Sequence, residues 1–176
     1  MALEKVIAAV APPAVPEVVA AADRVAVHAP VPSEPPGSPV VLCLWFEQVP
    51  HRLPGQAYLV EERLQWELDP RPNITRFSFL QRAGGITKED FSRHWSEIHT
   101  PLARVHHPCL VRYVQNIVRE ILTPGAAAVD GIAELSVERE ADFTERMYDS
   151  SEGREIIGAD VRTFIDLSAG WRVITH

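Results

Sequence analysis

Histidine is concentrated in one short segment of this sequence. Four of the seven histidines lie between positions 94 and 107, namely His94, His99, His106 and His107. Imidazole exchanges protons near neutral pH, so this concentration predicts acid–base chemistry. His106 and His107 precede Pro108, and we expect these two to lie in a solvated loop.

His99 is the best single candidate for a catalytic acid or base. It comes two residues before Pro101, whose missing N–H kinks or splits a helix and leaves a carbonyl group without its usual donor. An imidazole at such a kink could face a cavity. The alternative is structural, because a histidine near a helix C-terminus also caps free carbonyl groups.

The spacing of His94 and His99 argues against a shared ligand. The two residues are five apart, which on an α-helical wheel puts them on opposite sides of the apolar stripe. Metal ligands on one helical face are three or four residues apart, so we expect no metal ion here. His94 could polarise a substrate oxygen, or it could pack its ring at the edge of the core.

Three residues of the expected strands could assist a histidine. Tyr113 can donate its phenol hydrogen to a substrate carbonyl, or it can be a core residue with a satisfied hydroxyl. Asp130 and Glu134 share one strand face, where burial would raise the pKa of a carboxyl group and make it a base or a partner of His99. On a solvated face they would be ordinary surface charges.

Aromatic side chains could line an apolar substrate pocket near these groups. Phe91 and Trp95 begin a stripe of apolar residues that recurs every three or four positions up to Val105, which predicts one buried helical face. Phe77 and Phe79 alternate with polar residues, as in a strand. The alternative for all four aromatic residues is plain core packing.

The elements that position these residues follow the order β-α-β-β-α-β in the second half of the chain. Alternation and β-branched residues predict strands at 74–80, 110–118, 130–137 and 171–175. Helices are expected at 88–105, 141–150 and 156–167, the first of them interrupted by Pro101. This order is typical of the ferredoxin-like unit, an α+β fold.

Proline dominates the first part of the chain. Eight of the 15 prolines lie in the first 40 residues, and residues 29–39 are predicted to be a loop or an extended linker. Strands are expected at 5–10 and 40–46, a short helix at 16–24, and a strand or helix from residue 57. We interpret residues 1–71 as a shortened copy of the unit formed by residues 72–176.

Composition excludes several classes of protein. The chain has 17 Lys and Arg against 24 Asp and Glu, and this net charge of −7 without a basic stripe is unsuited to nucleic acid. No apolar run is long enough to span a membrane, and the N-terminus lacks the positive charge of a signal peptide. The two cysteines form no CxxC pair, which fits a reducing cytoplasm.

Residues 85–103, GITKEDFSRHWSEIHTPLA, resemble the EthD domain family. Members of that family carry an aromatic residue, a tryptophan and then a His-x-Pro-Leu segment on the first helix of a ferredoxin-like unit. Residues 112–116, 130–134 and 164–166 resemble the family's later segments in the same order. Residues 1–71 resemble an eroded first half of the tandem form of this family.

The resemblance implies a dimeric α+β barrel, in which two ferredoxin-like sheets from two chains or from two halves of one chain pack together. It also implies a homodimer. Some relatives are dehydratases or decarboxylases of polyketide-like aromatics, others accompany oxidative degradation, and neighbouring families include cofactor-free monooxygenases and haem enzymes.

From this resemblance and the histidines we expect a cofactor-independent lyase. It would act by dehydration on an apolar small molecule that bears a carbonyl or hydroxyl group. No dinucleotide-binding or P-loop signature is present in the sequence. The alternatives are a cofactor-free monooxygenase and a non-catalytic protein that binds a ligand for an oxidative pathway.

Overall fold

The computed structural model describes residues 2–68 and 74–176, which form eight strands and several helical segments. The first four strands are β1 (Glu4–Val10), β2 (Arg24–His28), β3 (Val40–Phe46) and β4 (Gln56–Glu67), with the short helix α1 (Val15–Ala20) between β1 and β2. The last four strands are β5 (Ile74–Leu80), β6 (Arg112–Ile121), β7 (Gly131–Val137) and β8 (Trp171–Thr175). Between them lie α2 (Lys88–His94), a π-helix (Trp95–His99), α3 (Thr100–His106), α4 (Asp142–Glu145) and α5 (Ser151–Phe164).

All eight strands belong to one antiparallel sheet. Their order is β2-β3-β1-β4-β6-β7-β5-β8, so the pairing of β4 with β6 joins the first four strands to the last four. The sheet curves until its two edges meet, where Pro30 bridges Thr175. Two backbone hydrogen bonds strengthen this contact, from Val31 N–H to Ile174 O at 3.0 Å and from His176 N–H to Ala29 O at 2.9 Å. The result is a nearly closed barrel built from a single chain.

The two faces of the sheet contribute side chains to two separate hydrophobic cores. The inner face fills the barrel with side chains from both halves, including Ile7, Val41, Tyr58, Phe77 and Phe79. The outer face of β5, β6 and β7 packs against α2, the π-helix, α3 and α5. The buried side chains of this outer cluster are Phe91, Trp95, Ala103, Tyr113, Ile117, Ala133, Phe164 and Ile165. Because side chains alternate along a strand, neighbouring residues on β7 belong to different compartments.

Most sequence-based expectations for the elements are confirmed. The strands at 40–46, 74–80 and 171–175 have the predicted bounds, and residue 56 begins a strand rather than a helix. The helix at 141–150 is shorter than predicted, and strand β2 was missed because its first residues follow an Ala-rich stretch that favours helix. The proposed division at residues 71 and 72 lies outside the described residues and stays a prediction.

Within residues 2–68 and 74–176, none of the helices combines the length and apolarity needed to cross a lipid bilayer.

Gly131 allows the outer face of the sheet to approach the π-helix closely. A Cβ atom at this position would overlap the ring of Trp95 and would lie 3.1 Å from the ring of Phe91. Both aromatic side chains are fully or almost fully buried, so neither has open space to move into.

We therefore expect Gly131→Ala to lower the free energy of unfolding by about 1–3 kcal/mol, because added volume in a filled core forces neighbouring groups apart. Denaturant unfolding followed by tryptophan fluorescence measures this change. Gly84→Ala is the matched control, since a Cβ atom there meets nothing within 4 Å. Equal stability of the two variants would contradict the close packing described here.

Candidate functional site

A π-helical turn lies at the centre of the candidate site. The Thr87 side chain begins the helix by accepting a hydrogen bond from Asp90 N–H at 3.0 Å. After His94 the helix widens into the π-helical turn, where Thr100 N–H donates a hydrogen bond to Trp95 O, five residues back. The same carbonyl accepts bonds of 3.0 Å from Thr100 Oγ1 and from Gln115 Nε2 of β6. Pro101 has no N–H to donate in the next position, which favours this wider turn.

The π-helix brings His94 and His99 to the same side. His94 Nε2 lies 2.7 Å from Asp160 Oδ1, and His99 Nδ1 lies 2.7 Å from Asp160 Oδ2. The expectation that these histidines lie on opposite sides was wrong, because it assumed an α-helix. In a π-helix, residues five positions apart share a face.

Asp160 is the site residue that the sequence did not reveal. It lies on α5, which begins where Ser150 Oγ accepts a hydrogen bond from Gly153 N–H at 2.9 Å. Its side chain is only 9% exposed. Burial raises the pKa of such a carboxyl group, but the hydrogen bonds from His99 and His94 outweigh it, and the pKa of Asp160 is lowered. Asp160 is therefore ionised at neutral pH and holds both imidazole rings.

His99 lines a pocket between the helices and the outer face of the sheet. The pocket has a volume of about 160 Å³. Its polar groups come from Arg76, Ser78, His99, His107, Tyr113 and Tyr148, and much of the remaining wall is apolar, including Trp95, Leu135, Met147, Ile157 and Val161. A pocket with a mostly apolar wall and a few polar groups is typical of a small-molecule site.

The contact with Asp160 determines which nitrogen of His99 can react. Nδ1 donates its hydrogen to the Asp160 carboxylate, so the neutral ring has an acceptor lone pair on Nε2. His99 is 8% exposed as a residue, and Phe164 packs against its ring at 5.4 Å between centroids. This arrangement fixes both the tautomer and the orientation of the imidazole.

Tyr113 contributes a hydroxyl group to the same pocket. Its oxygen accepts hydrogen bonds from Trp95 Nε1 at 2.6 Å and from Gln115 Nε2 at 3.3 Å. Both bonds use the oxygen as acceptor, so the phenol hydrogen is available to a ligand. Burial raises the pKa of Tyr113, which keeps the phenol protonated and able to donate.

His107 is also part of the pocket wall rather than a solvated loop residue. It is 6% exposed, and its Nδ1 donates to Met147 O at 2.7 Å. Burial lowers its pKa to about 4, more than the hydrogen bond to Met147 raises it. His107 is therefore neutral at pH 7. His106 instead lies beside Asp149, with its Nδ1 3.1 Å from Asp149 Oδ1, and is not part of the pocket wall.

Asp130 lies away from His99. Its carboxylate pairs with the Arg82 guanidinium and accepts a bond of 2.9 Å from Arg82 N–H. It lines a separate cavity of about 360 Å³. The structure therefore does not bring Asp130 to the imidazole that we expected it to orient.

Glu134 lies on the inner face of the sheet, on the opposite side from His99. Its carboxylate binds Lys5 Nζ at 2.7 Å, Arg112 at 2.9 Å and Asn116 Nδ2 at 3.0 Å. Burial opposes ionisation of Glu134, but the two cations prevail and lower its pKa to about 2. A raised pKa for this carboxyl group was therefore the wrong expectation. The charge of Glu134 in turn raises the pKa of Lys5, although burial of Lys5 acts in the opposite direction.

The four aromatic candidates are divided between two compartments. Trp95 lines the pocket, and Phe91 packs beside it in the core between helix and sheet. Phe77 and Phe79 face the barrel interior, because they alternate with Arg76 and Ser78 on β5. A substrate-binding role is consistent with the position of Trp95 alone.

Among the residues that the structure describes, no group of three His, Cys, Asp or Glu side chains has an arrangement that could hold a metal ion. The expectation of a cofactor-independent site stays a prediction.

The hydrogen bonds to the ionised Asp160 carboxylate predict a pH-dependent stability. We expect Asp160→Asn to lower the free energy of unfolding by about 1–3 kcal/mol at pH 7, because hydrogen bonds to a charged partner are lost. A carboxyl group with a lowered pKa contributes stability above its unfolded pKa of about 3.9 and loses it as the pH falls through the folded value. The difference between wild type and variant should therefore shrink below about pH 4.

Urea unfolding at a series of pH values measures this difference. Asp149→Asn is the matched control, since it removes a carboxylate from the exposed pair with His106. A stability difference for Asp160→Asn that is unchanged from pH 7 to pH 3 would contradict an ionised Asp160 carboxylate that is stabilised by these hydrogen bonds.

Comparison with solved structures identifies a similar fold. A monooxygenase-like protein from Listeria innocua matches with a TM-score of 0.56 and 13% sequence identity, over 99% of this chain and 94% of that one. At this identity the likeness concerns the fold. A comparison with curated proteins found no significant match.

The family comparison agrees with the resemblance drawn from residues 85–103. The model described as the EthD domain matches residues 83–168, which include α2, the π-helix, α3, β6, β7 and α5. His94, His99, Tyr113 and Asp160 all lie within the match. Residues 83–168 of this chain therefore match the EthD domain family, which is the family that residues 85–103 resemble.

Proposed function

We propose that this protein is a cofactor-independent lyase of the dehydratase type. Its substrate would be a small apolar molecule with a carbonyl group and a neighbouring hydroxyl group. His99 would move the proton, and Asp160 would hold its ring in the reactive tautomer.

One observation carries this proposal. His99 contacts a buried carboxylate through Nδ1 at 2.7 Å and lines an apolar pocket with its ring. A histidine with one nitrogen fixed by a carboxylate is the usual arrangement of a general base, because the carboxylate stabilises the imidazolium that forms. Structural histidines that only cap a helix do not need a buried ionised partner.

The proposed step removes one water molecule from the substrate and leaves His99 as it was before the reaction. His99 Nε2 takes a proton from the carbon next to the carbonyl group, while the Tyr113 hydroxyl donates a hydrogen bond to the carbonyl oxygen. The electron pair of the broken C–H bond forms a C=C bond as the hydroxyl group leaves from the next carbon. The leaving group takes the proton from His99 and departs as water, which returns His99 to its neutral form.

The size of the pocket limits the substrate. Its volume of about 160 Å³ is similar to the ~150 Å³ engineered apolar cavity that binds benzene. A ligand of about one aromatic ring with short polar substituents fits this volume. A larger polyketide-like substrate would require the helices to move apart.

A cofactor-free monooxygenase is the second candidate, and the fold likeness to a monooxygenase-like protein favours it. The same base would form a substrate carbanion, which would then react with oxygen. Oxygen uptake separates the two reactions, because a dehydration proceeds equally well without air. A non-catalytic binding role would show neither product formation nor proton exchange.

The strand orders β2-β3-β1-β4 and β8-β5-β7-β6 support a ferredoxin-like unit in each half of the chain. A homodimer would cover Ile98 and Val105, which are 50% and 63% exposed, and light scattering would measure the mass of the assembly in solution.

The free buried cysteines Cys43 and Cys109 are compatible with a cytoplasmic location.

Proton exchange tests the base without knowledge of the full reaction. We expect the wild-type protein to accelerate exchange of the hydrogen next to the carbonyl group of small aryl ketones in D₂O, measured by NMR. His99→Gln should lower this rate by roughly 10²–10⁴-fold, the usual contribution of a general base.

His106→Gln is the matched control, because His106 also pairs with an aspartate but is not part of the pocket wall. It should keep the wild-type rate. Loss of exchange in both variants, or in neither, would contradict the assignment of His99. Melting temperatures measured alongside separate a loss of rate from a loss of folding.

A further inference from the structure

Arg76 is a cation of the pocket wall with no protein partner in the part of the chain that the structure describes. It lies on β5 and faces the helices. Within residues 2–68 and 74–176 its side chain forms neither an ion pair nor a hydrogen bond, and its Nε atom is buried without a partner. By contrast, Arg82 pairs with Asp130 and Arg112 pairs with Glu134.

The neighbours of Arg76 do not replace an anion. Its guanidinium lies 4.7 Å from the centre of the Phe143 ring, which offers a cation–π contact but no hydrogen-bond acceptor in the guanidinium plane. Arg172, Tyr148 and Cys109 are the other groups that affect its charge, and Arg172 is itself a cation. Burial lowers the pKa of Arg76 to about 10, so it remains protonated at neutral pH.

The Nε–H group of Arg76 is a buried donor without an acceptor, which is costly, and buried donors in native proteins usually have a partner. The pocket beside Arg76 is the open space in which that partner can bind. A carboxylate suits the position, because its two oxygens match the donors of a guanidinium group.

We propose that the pocket binds a small carboxylic acid and that Arg76 holds its carboxylate. This inference rests on the proposed function for the identity of the pocket as a substrate site, and it narrows the substrate class. The substrate would then be an oxo- or hydroxy-acid of about one ring in size. Arg76 would anchor the carboxylate, and His99 would act on the carbon next to the carbonyl group of the substrate.

Binding of simple acids and their amides tests the proposal. The probes are benzoate and phenylacetate, each compared with its neutral amide by isothermal titration calorimetry. We expect the wild-type protein to bind at least one of these acids roughly tenfold or more tightly than its amide, since a charged hydrogen-bonded pair is gained. Arg76→Met should lose this preference, and Arg76→Lys should keep part of it, because lysine is a point charge.

Arg172→Met is the matched control, since Arg172 lies on the neighbouring strand β8 but is not part of the pocket wall. It should keep the preference for acids. The proposal is overturned if neither acid binds the wild-type protein more tightly than its amide, or if the preference survives in Arg76→Met. Melting temperatures of the two Arg76 variants identify any variant that fails to fold, and Arg76→Lys then decides the outcome by its weaker preference.

His99→Gln separates this inference from the proposed function. It should keep the preference for acids, because the anchor and the base are different residues. An acid preference that depends on Arg76, together with proton exchange that does not depend on His99, would support the anchor and reject the base. An acid preference that does not depend on Arg76, together with proton exchange that depends on His99, would reject the anchor and support the base.

Discussion

Strand β4 pairs with β6 over most of its length, from Tyr58 opposite Ile121 to Glu67 opposite Arg112. This pairing makes one sheet of two four-stranded halves, and it curves that sheet until residues 29–31 meet residues 174–176. Curvature of this kind gives the sheet an inside that excludes water and an outside that can support helices. The pocket depends on this outer face, because β5, β6 and β7 form its floor while the helices and the loops beside them cover it.

The sequence predicted the strands of the second half well, because alternation on β5 and the β-branched residues of β6 are local signals. It also singled out His99, which the structure places in the pocket wall, while its catalytic role stays a prediction. Asp160 escaped prediction, since an aspartate on an amphipathic helix is indistinguishable from a surface charge until α5 is placed against His99. The π-helix escaped as well, because the apolar stripe from Phe91 fits an α-helical period and gives no sign of the wider turn.

Alternation along the strands explains why the expected site was partly divided. On β7, Ala133 and Leu135 face the pocket, whereas Glu134 between them lies inside the barrel with Lys5. Sequence reasoning proposed Asp130 and Glu134 as partners of His99, but it could not say which face of the closed sheet each would occupy. Glu134 pairs with Lys5 inside the barrel, and the sheet separates it from His99.

Closure between Pro30 and Thr175 also has a consequence for synthesis of the protein. The first four strands leave the ribosome with one edge at β2 and an apolar inner face, but β8, which meets this edge, is made after the other seven strands. Contacts between distant parts of a chain form slowly, because the entropy of closing the loop is lost before they contribute. This edge of the N-terminal half therefore stays unpaired until β8 emerges, and an unpaired strand edge is open to aggregation or to capture by a chaperone.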